Sequence, residues 1–173
     1  MALKGIAVYT LSAGIAAVIV CAVWLAARRV RRRGRPGKLT RRDVLWLMLC
    51  GYLAAVAQII GLRIGLVRMR PLSQAPHLVP LKTTLGLSPG MLAYHTLGNL
   101  AWFMPLGLLI EALWPKRSWV HAPLAGAALS AMVEAAQWLL GTGTPDIDDV
   151  LLNTLGALLG WFIGRLIRRA RRT

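Results

Sequence analysis

The chain is short, apolar and strongly basic. Of its 173 residues 57% are hydrophobic, and 21 Lys and Arg residues against 6 Asp and Glu residues give a net charge of +15. Its two cysteines, Cys21 and Cys50, both fall inside apolar segments and give no sign of a disulfide framework or a metal cluster, so we expect no metal and no cofactor.

Five long apolar segments run along the chain, separated by short polar loops. Each reaches or nearly reaches the roughly 20 residues that a helix needs to cross ~30 Å of hydrocarbon, and each is apolar on every face rather than along one stripe. The segments are Ile6–Ala27, Val44–Leu62, Met91–Trp114, Trp119–Leu140 and Val150–Ile167. This pattern predicts an all-α protein, a polytopic membrane helical bundle with five transmembrane helices.

The first apolar segment has the length of a signal peptide, but only Lys4 precedes it and an arginine cluster follows it. This order of charges favours an uncleaved anchor whose N-terminus lies outside, with cleavage as the alternative. We therefore divide the chain into residues 1–43, an anchor span with a basic cytoplasmic loop, and residues 44–173, a four-span domain with a basic C-terminal tail.

Lysine and arginine residues gather on alternate loops. They are dense between the first two segments, at Lys116–Arg117 and from Arg165 onward, and sparse on the opposite side. Because cytoplasmic loops carry the excess of Lys and Arg, the N-terminus is predicted outside and the C-terminus in the cytoplasm. Residues Arg33–Pro36 resemble the AT-hook of minor-groove binders, but topology and anionic lipid better explain a basic loop tethered to a bilayer at both ends. We expect membrane lipids and no nucleic acid as partners.

The loop between the second and third segments contains Pro71, Pro76, Pro80 and Pro89, which forbid a continuous helix. Its apolar tract His77–Leu81 is too short to cross a membrane. Three placements are open for this tract: along the membrane interface, within the outer leaflet, or over the end of the bundle.

Polar and ionisable residues lie in the third, fourth and fifth segments, toward the outer side. Such residues usually face the bundle interior or a wet cavity and mark functional sites. Helical spacing places them on one face of each helix, and a rise of ~1.5 Å per residue places the faces at a similar depth. The sequence therefore predicts a shared polar pocket that opens to the outer side. Its ligand-binding candidates are Asn99, Glu134, Gln137, Asp146, Asp149, Asn153 and Arg63, and the candidates for catalysis are Glu134, Asp149 and His95.

Most of these candidates also have a purely structural interpretation. Asp146 follows a proline and can be a helix N-cap, with Asp149 favourably placed in the first turn. The amides of Asn99, Gln137 and Asn153 can make interhelical hydrogen bonds.

The charged and titratable members need partners of their own. His95 can make a structural hydrogen bond rather than act as a base. Glu134 needs a cation, a proton or water at its depth, and Arg63 is the candidate cation at a similar level. At the opposite end, Glu111 is expected to pair with the nearby Lys116–Arg117.

A row of glycines marks the fifth segment. Gly156, Gly160 and Gly164 recur at every fourth residue and form a flat ridge that permits close helix approach. The ridge continues the face of Asp149 and Asn153, so this side of the helix is predicted to point into the bundle.

Three motifs in series resemble those of the VanZ-like membrane proteins. In order they match the family's Asn…Phe-x-Pro-x-Gly, Glu-x-x-Gln and Asp…Asn-Thr-x-Gly patterns. They occupy Asn99–Gly107, Glu134–Gln137 and Asp146–Gly160, and with Leu78–Pro80 the resemblance covers about Val44 to Arg165.

Two departures from the family pattern concern the loops. Where many members read Asn-Leu-Ile-Pro-Phe, this chain has His77–Leu81. Where many carry an arginine before the acidic cluster, it has Thr142–Thr144, which weakens the case for an anionic ligand held by that loop.

The resemblance implies a multi-pass protein of the bacterial cytoplasmic (inner) membrane with a role in the cell envelope, because founding members are associated with resistance to the glycopeptide teicoplanin. We expect the pocket to bind an amphiphilic envelope molecule, either a lipoglycopeptide or a lipid-linked cell-wall precursor, as a binder more than as an enzyme. Two alternatives are an acid/base enzyme acting on a lipid-linked substrate through Glu134, Asp149 and His95, and a small proton-coupled carrier. A homo-oligomer is left open.

Overall fold

The computed structural model describes residues 23–26, 28, 39–66 and 75–172, and for residues 59–66 it describes the backbone alone. The regular elements of these ranges are helices, and the sole pairing of β type among them is a parallel bridge between His77 and Asp146. The chain divides into two compact units, Met1–Arg68 and Met69–Thr173. Most of the first predicted span lies outside the described residues.

The first unit contains helix α1, Arg41–Leu66, which corresponds to the second predicted span. A reciprocal capping box starts it: the Thr40 N–H donates to Asp43 Oδ2 at 2.8 Å, and the Asp43 N–H donates to Thr40 Oγ1 at 3.2 Å. The bond from the Thr40 N–H holds the pKa of Asp43 below its ordinary value. Arg28 Nη2 lies 2.9 Å from the same carboxylate, so this acid belongs to the helix start.

The second unit contains the short helix α2, Lys82–Leu85, and three long helices: α3, Pro89–Leu113; α4, His121–Leu139; and α5, Ile147–Ala170. The long helices correspond to the third, fourth and fifth predicted spans. Pro89 occupies the first turn of α3, where its missing N–H breaks no helical hydrogen bond. A connection of residues 114–120 joins α3 to α4, and residues 140–146 join α4 to α5.

Helix α5 is the centre of the second unit, because it packs on both α3 and α4, which touch each other far less. The predicted glycine ridge lies against α3. A Cβ on Gly156 would lie 2.5 Å from the carbonyl oxygen of Leu100, and a Cβ on Gly160 would overlap the carbonyl oxygen of Met104. Gly107 on α3 meets the backbone of Ala157 in the same way. The two helix backbones therefore meet directly, with no side chain between them.

The C-terminal half of α3, which is predicted to lie nearer the cytoplasm, carries the buried apolar side chains of this helix. Phe103, Leu106, Ile110 and Leu113 are buried and follow helical spacing along one face. Glu111 is buried beside them, with 3% of its surface exposed.

The prediction that Glu111 pairs with Lys116–Arg117 is wrong. Its carboxylate lies 2.6 Å from Arg168 Nε and 4.0 Å from Arg165 Nη1, both on α5, whereas Lys116–Arg117 makes no ion pair with it. Sequence proximity pointed to the adjacent loop, but the helix packing brings the last turns of α5 alongside α3. A tertiary contact thus takes precedence over a local one.

Two of the described helices, α3 and α5, are long and apolar enough to cross a membrane. They are also the two helices in backbone contact through the glycine ridge. Helical architecture with membrane-length helices is thus present, while the number of spans and the orientation of the termini stay predictions.

Candidate functional site

The candidate residues of the second unit gather around the first two turns of α5. The turn before this helix brings them there: Gly141 has a φ of 64°, which suits a residue without a Cβ, and the Thr142 N–H donates to the Gln137 carbonyl at 2.8 Å. The chain thereby reverses and delivers Asp146 to the start of α5, next to the end of α4.

Asp146 is the N-cap of α5. Its Oδ1 accepts a hydrogen bond from the Asp148 N–H at 2.9 Å, and its own N–H donates to Glu134 Oε2 at 3.2 Å. His77 Nδ1 lies 3.6 Å from Asp146 Oδ2. The structural interpretation of Asp146 as a cap is therefore realised, and the cap also ties Glu134 of α4 to α5.

Asp149 forms a second cluster with α3. Its Oδ1 accepts a hydrogen bond from Asn99 Nδ2 at 2.7 Å and lies 2.9 Å from His95 Nε2. The Asp149 and His95 side chains are each 26% exposed, so this cluster is only partly buried. The other imidazole nitrogen, Nδ1 of His95, is buried and has no hydrogen-bond partner among the described residues.

Asn153 makes a third contact, this time with α4. Its Nδ2 donates to the fully buried Ser130 Oγ at 2.9 Å, which is the interhelical bond expected of an amide in a bundle. Its Oδ1 is buried and finds no hydrogen-bond donor within the described part of the chain. Gln137 is also buried, one turn beyond Glu134 on the same face of α4.

Arg63 lies in helix α1, where the structure describes its backbone but not its side chain. Its predicted pairing with Glu134 therefore stays a prediction. Among the contacts of Glu134 is the hydrogen bond that it accepts from the Asp146 N–H.

Asp148 is the residue whose role sequence reasoning missed. It is 1% exposed and accepts three hydrogen bonds, from the Leu81 N–H at 2.5 Å, the Thr84 N–H at 3.0 Å and the Thr84 hydroxyl at 2.7 Å. The backbone of His77 ties the same loop to the start of α5 through two separate hydrogen bonds. The His77 N–H donates to the Pro145 carbonyl at 2.8 Å, and the His77 carbonyl accepts from the Ile147 N–H at 3.0 Å. Of the three placements open for the proline-rich loop, the structure places it over the start of α5.

The sequence around Asp148 did indicate that its carboxylate binds another part of the chain, although it did not indicate which part. Asp148 stands in the first turn of a helix that Asp146 already caps, so its own carboxylate is spare for another partner. The partner is Thr84, 64 positions earlier in the chain, and no local pattern predicts that pairing.

The chemistry available at the site follows from these assignments. Asp146 and Asp148 are committed to the backbone, whereas Asp149, His95 and Asn99 form a half-exposed hydrogen-bonding group. Within the described ranges no set of three or more His, Cys, Asp or Glu residues is arranged to hold a metal ion. The arrangement can therefore engage hydroxyl, amine or amide groups of a ligand, or transfer a proton through His95.

Comparison with known proteins gives one family match, which covers the candidate site and the helices around it. A protein-family model described as VanZ/LLP1 matches residues 43–168, which run from the first turn of α1 to nearly the end of α5. No curated protein and no solved structure matches the chain.

Proposed function

Since the chain belongs to the VanZ/LLP1 family, we propose that it is a multi-pass protein of the bacterial inner membrane whose polar site binds an amphiphilic envelope molecule. The family and the two membrane-length helices support the membrane assignment. The ligand is a lipoglycopeptide antibiotic or a lipid-linked cell-wall precursor, and binding of the former would contribute to glycopeptide resistance.

The observation that carries the proposal is the Asp149–His95–Asn99 group. Three polar side chains from two helices converge within hydrogen-bonding distance, yet stay partly exposed at the end of membrane-length helices. A purely structural bond in a membrane is usually enclosed, because an exposed polar group in lipid lacks partners. The Nδ1 of His95 is buried without a hydrogen-bond partner among the described residues, so the contacts of this imidazole within the site are made through Nε2.

Glu134, on α4, extends the site. It is buried, and its bond to the Asp146 N–H places its carboxylate beside the helix cap. Asn153 brings a second buried acceptor, Oδ1, to the same region. We propose that Asn99, Glu134, Gln137, Asp149 and Asn153 supply the polar contacts, while Asp146 keeps the site in shape.

Replacing Asp149 with Asn, or Glu134 with Gln, is expected to leave the protein inserted and folded but to weaken ligand retention at least about tenfold, since a hydrogen bond to a charged group contributes about 1.5–3 kcal/mol. The measurement is native mass spectrometry of full-length protein extracted in mild detergent, comparing the abundance of adducts that have the mass of a lipid-linked wall precursor or an added lipoglycopeptide, counted apart from phospholipid adducts. Asp43→Asn is the matched control, because it makes the same carboxylate-to-amide change in the capping box of α1. Adducts of equal abundance in all four proteins would exclude the pocket.

An acid/base enzyme is the second candidate, favoured by the 2.9 Å separation of His95 Nε2 and Asp149 Oδ1. A carboxylate in this position orients an imidazole for proton transfer. Incubating the purified protein with a lipid-linked wall precursor and recording the mass of the lipid distinguishes the two functions. A covalent change that is lost in His95→Gln identifies an enzyme, whereas retention of the unchanged lipid identifies a binder.

The orientation of the proposed five-span protein is testable by reporter fusions. We expect green fluorescent protein at the C-terminus to fluoresce, and alkaline phosphatase fused after Leu87 to be active, because the Lys- and Arg-rich loops should stay in the cytoplasm. A phosphatase fusion within Lys116–Arg117 serves as the inactive control. The reverse pattern of activities would overturn both the orientation and the outward position of the polar site.

A further inference from the structure

The opposite end of the second unit holds a strongly basic cavity of about 480 Å³, which we call the basic cradle. It forms where the connection after α3 meets the last turns of α5. Its volume lies within the roughly 300–1,000 Å³ of small-ligand sites. The lining residues are Pro115, Lys116, Arg117, Arg165, Arg168, Arg169 and Arg172.

Two of the lining arginines are fixed in place by the protein itself. Arg165 Nη1 and Arg168 Nη2 each donate to the Pro115 carbonyl at 3.1 Å, and Arg168 Nε pairs with the buried Glu111 at 2.6 Å. The Arg165 guanidinium also lies 5.7 Å from the centre of the Trp161 ring. These contacts hold the wall of the cradle rigid, so a ligand would not have to order it.

The remaining charge of the cradle is not neutralised by any carboxylate in the described part of the chain. No ion pair in the described part of the chain joins a carboxylate to the other lining cations, which are Lys116, Arg117, Arg169 and Arg172. Cations gathered around one concavity repel one another, and an anion that they share relieves this repulsion. The single carboxylate of Glu111 offsets only one of them.

An apolar row on α5 leads into the cradle. Phe162 and Leu166 are 49% and 62% exposed, and Arg169 follows them at helical spacing on the same face. A ligand lying along this row would place an apolar body against Phe162 and Leu166 and an anionic group against Arg169. Free inorganic phosphate would use only the second of these features.

We propose that the basic cradle binds the headgroup of an anionic phospholipid, with the acyl chains lying along the Phe162–Leu166 row. Basic pockets at the ends of membrane helices suit such headgroups. The proposal shares with the proposed function only the premise that α5 spans a membrane. Asp149 and Arg168 are ~28 Å apart along α5, close to the ~30 Å thickness of the hydrocarbon, so the cradle and the polar site face opposite surfaces.

The test is titration of the full-length protein in detergent with phosphatidylglycerol, phosphatidylcholine or inorganic phosphate, with native mass spectrometry as the readout. We expect phosphatidylglycerol to bind in preference to the other two. Replacing both Arg169 and Arg172 with Gln should weaken its binding about 25-fold, because each cation near an anionic lipid contributes about fivefold. Both arginines are exposed and lie outside the Glu111 pair, so the fold should be retained.

The matched control replaces Arg41 and Arg171 with Gln, which removes the same charge from exposed helix-end positions outside the cradle. An equal loss of binding in this control would assign the effect to diffuse charge and overturn the proposal. Equal binding of phosphatidylcholine, or inorganic phosphate binding as tightly as phosphatidylglycerol, would overturn it as well. Asp149→Asn should leave phosphatidylglycerol binding unchanged, which separates a failure here from a failure of the polar site.

Discussion

Replacing Gly160 with alanine is expected to destabilise the packing of α5 on α3 by about 1–3 kcal/mol or more, although the same change in an open helix normally stabilises it. The added Cβ would overlap the Met104 carbonyl oxygen and would lie 2.8 Å from the Met104 carbonyl carbon. These are backbone atoms of a second helix, so no side-chain rotation can relieve the clash. Gly107→Ala should act in the same way from α3, because its Cβ would lie 2.7 Å from the backbone nitrogen of Trp161.

The midpoint of thermal unfolding in detergent, followed by tryptophan fluorescence, measures this effect. Gly98→Ala is the matched control on α3, since a Cβ there meets nothing within 4 Å. We expect the control to be neutral or slightly stabilising. If Gly160→Ala and Gly98→Ala changed the midpoint equally, the close contact between α3 and α5 would be wrong.

Replacing Asp148 with alanine is expected to cost at least about 2 kcal/mol and to release the loop that covers the start of α5. Three donors, the Leu81 N–H, the Thr84 N–H and the Thr84 hydroxyl, would lose their acceptor together. The two Thr84 donors are buried, and each buried donor left without an acceptor costs about 1–3 kcal/mol, whereas water can replace the acceptor of the part-buried Leu81 N–H. Hydrogen exchange should accelerate at the amides of Leu81 and Thr84, and the unfolding midpoint should fall.

A graded comparison makes the Asp148 prediction specific. Thr84→Val removes one of the three bonds and keeps the carboxylate, so its effect should be clearly smaller. Asp43→Ala, which disturbs the capping box of α1, should leave exchange at Leu81 and Thr84 unchanged. Unaltered exchange at these two amides in Asp148→Ala would show that the carboxylate does not anchor the loop.

At the start of α5, substitutions that lower the stability of the fold should be distinguishable from substitutions that weaken ligand binding. Asp146 and Asp148 hold backbone groups, so their loss should act through the fold. Asp149 lies within one turn of both, yet its contacts are with side chains of α3 and it is partly exposed. The three neighbouring acids therefore predict different phenotypes, which a sequence motif by itself does not distinguish.

Helix positions were largely predictable because hydrophobicity is a local property. The predicted span Met91–Trp114 became Pro89–Leu113, with its first turn extended to a proline that suits that position. The predicted span Val150–Ile167 became Ile147–Ala170. It grew by three residues at each end because acids in the first turn and arginines in the last turn favour the helix macrodipole, although they look polar in a hydropathy profile.

The sequence by itself determined where the long helices lie, which of their residues are polar, and that glycines recur on one face of α5, because each of these is set by neighbours within a few turns. Only the tertiary structure decided that Asp149 meets Asn99 and His95, that Asp148 anchors a loop 64 residues away, and that Glu111 pairs with Arg168. The physical reason is that the glycine contacts set how α3 and α5 cross, and that crossing chooses among partners that are equally compatible with the local sequence.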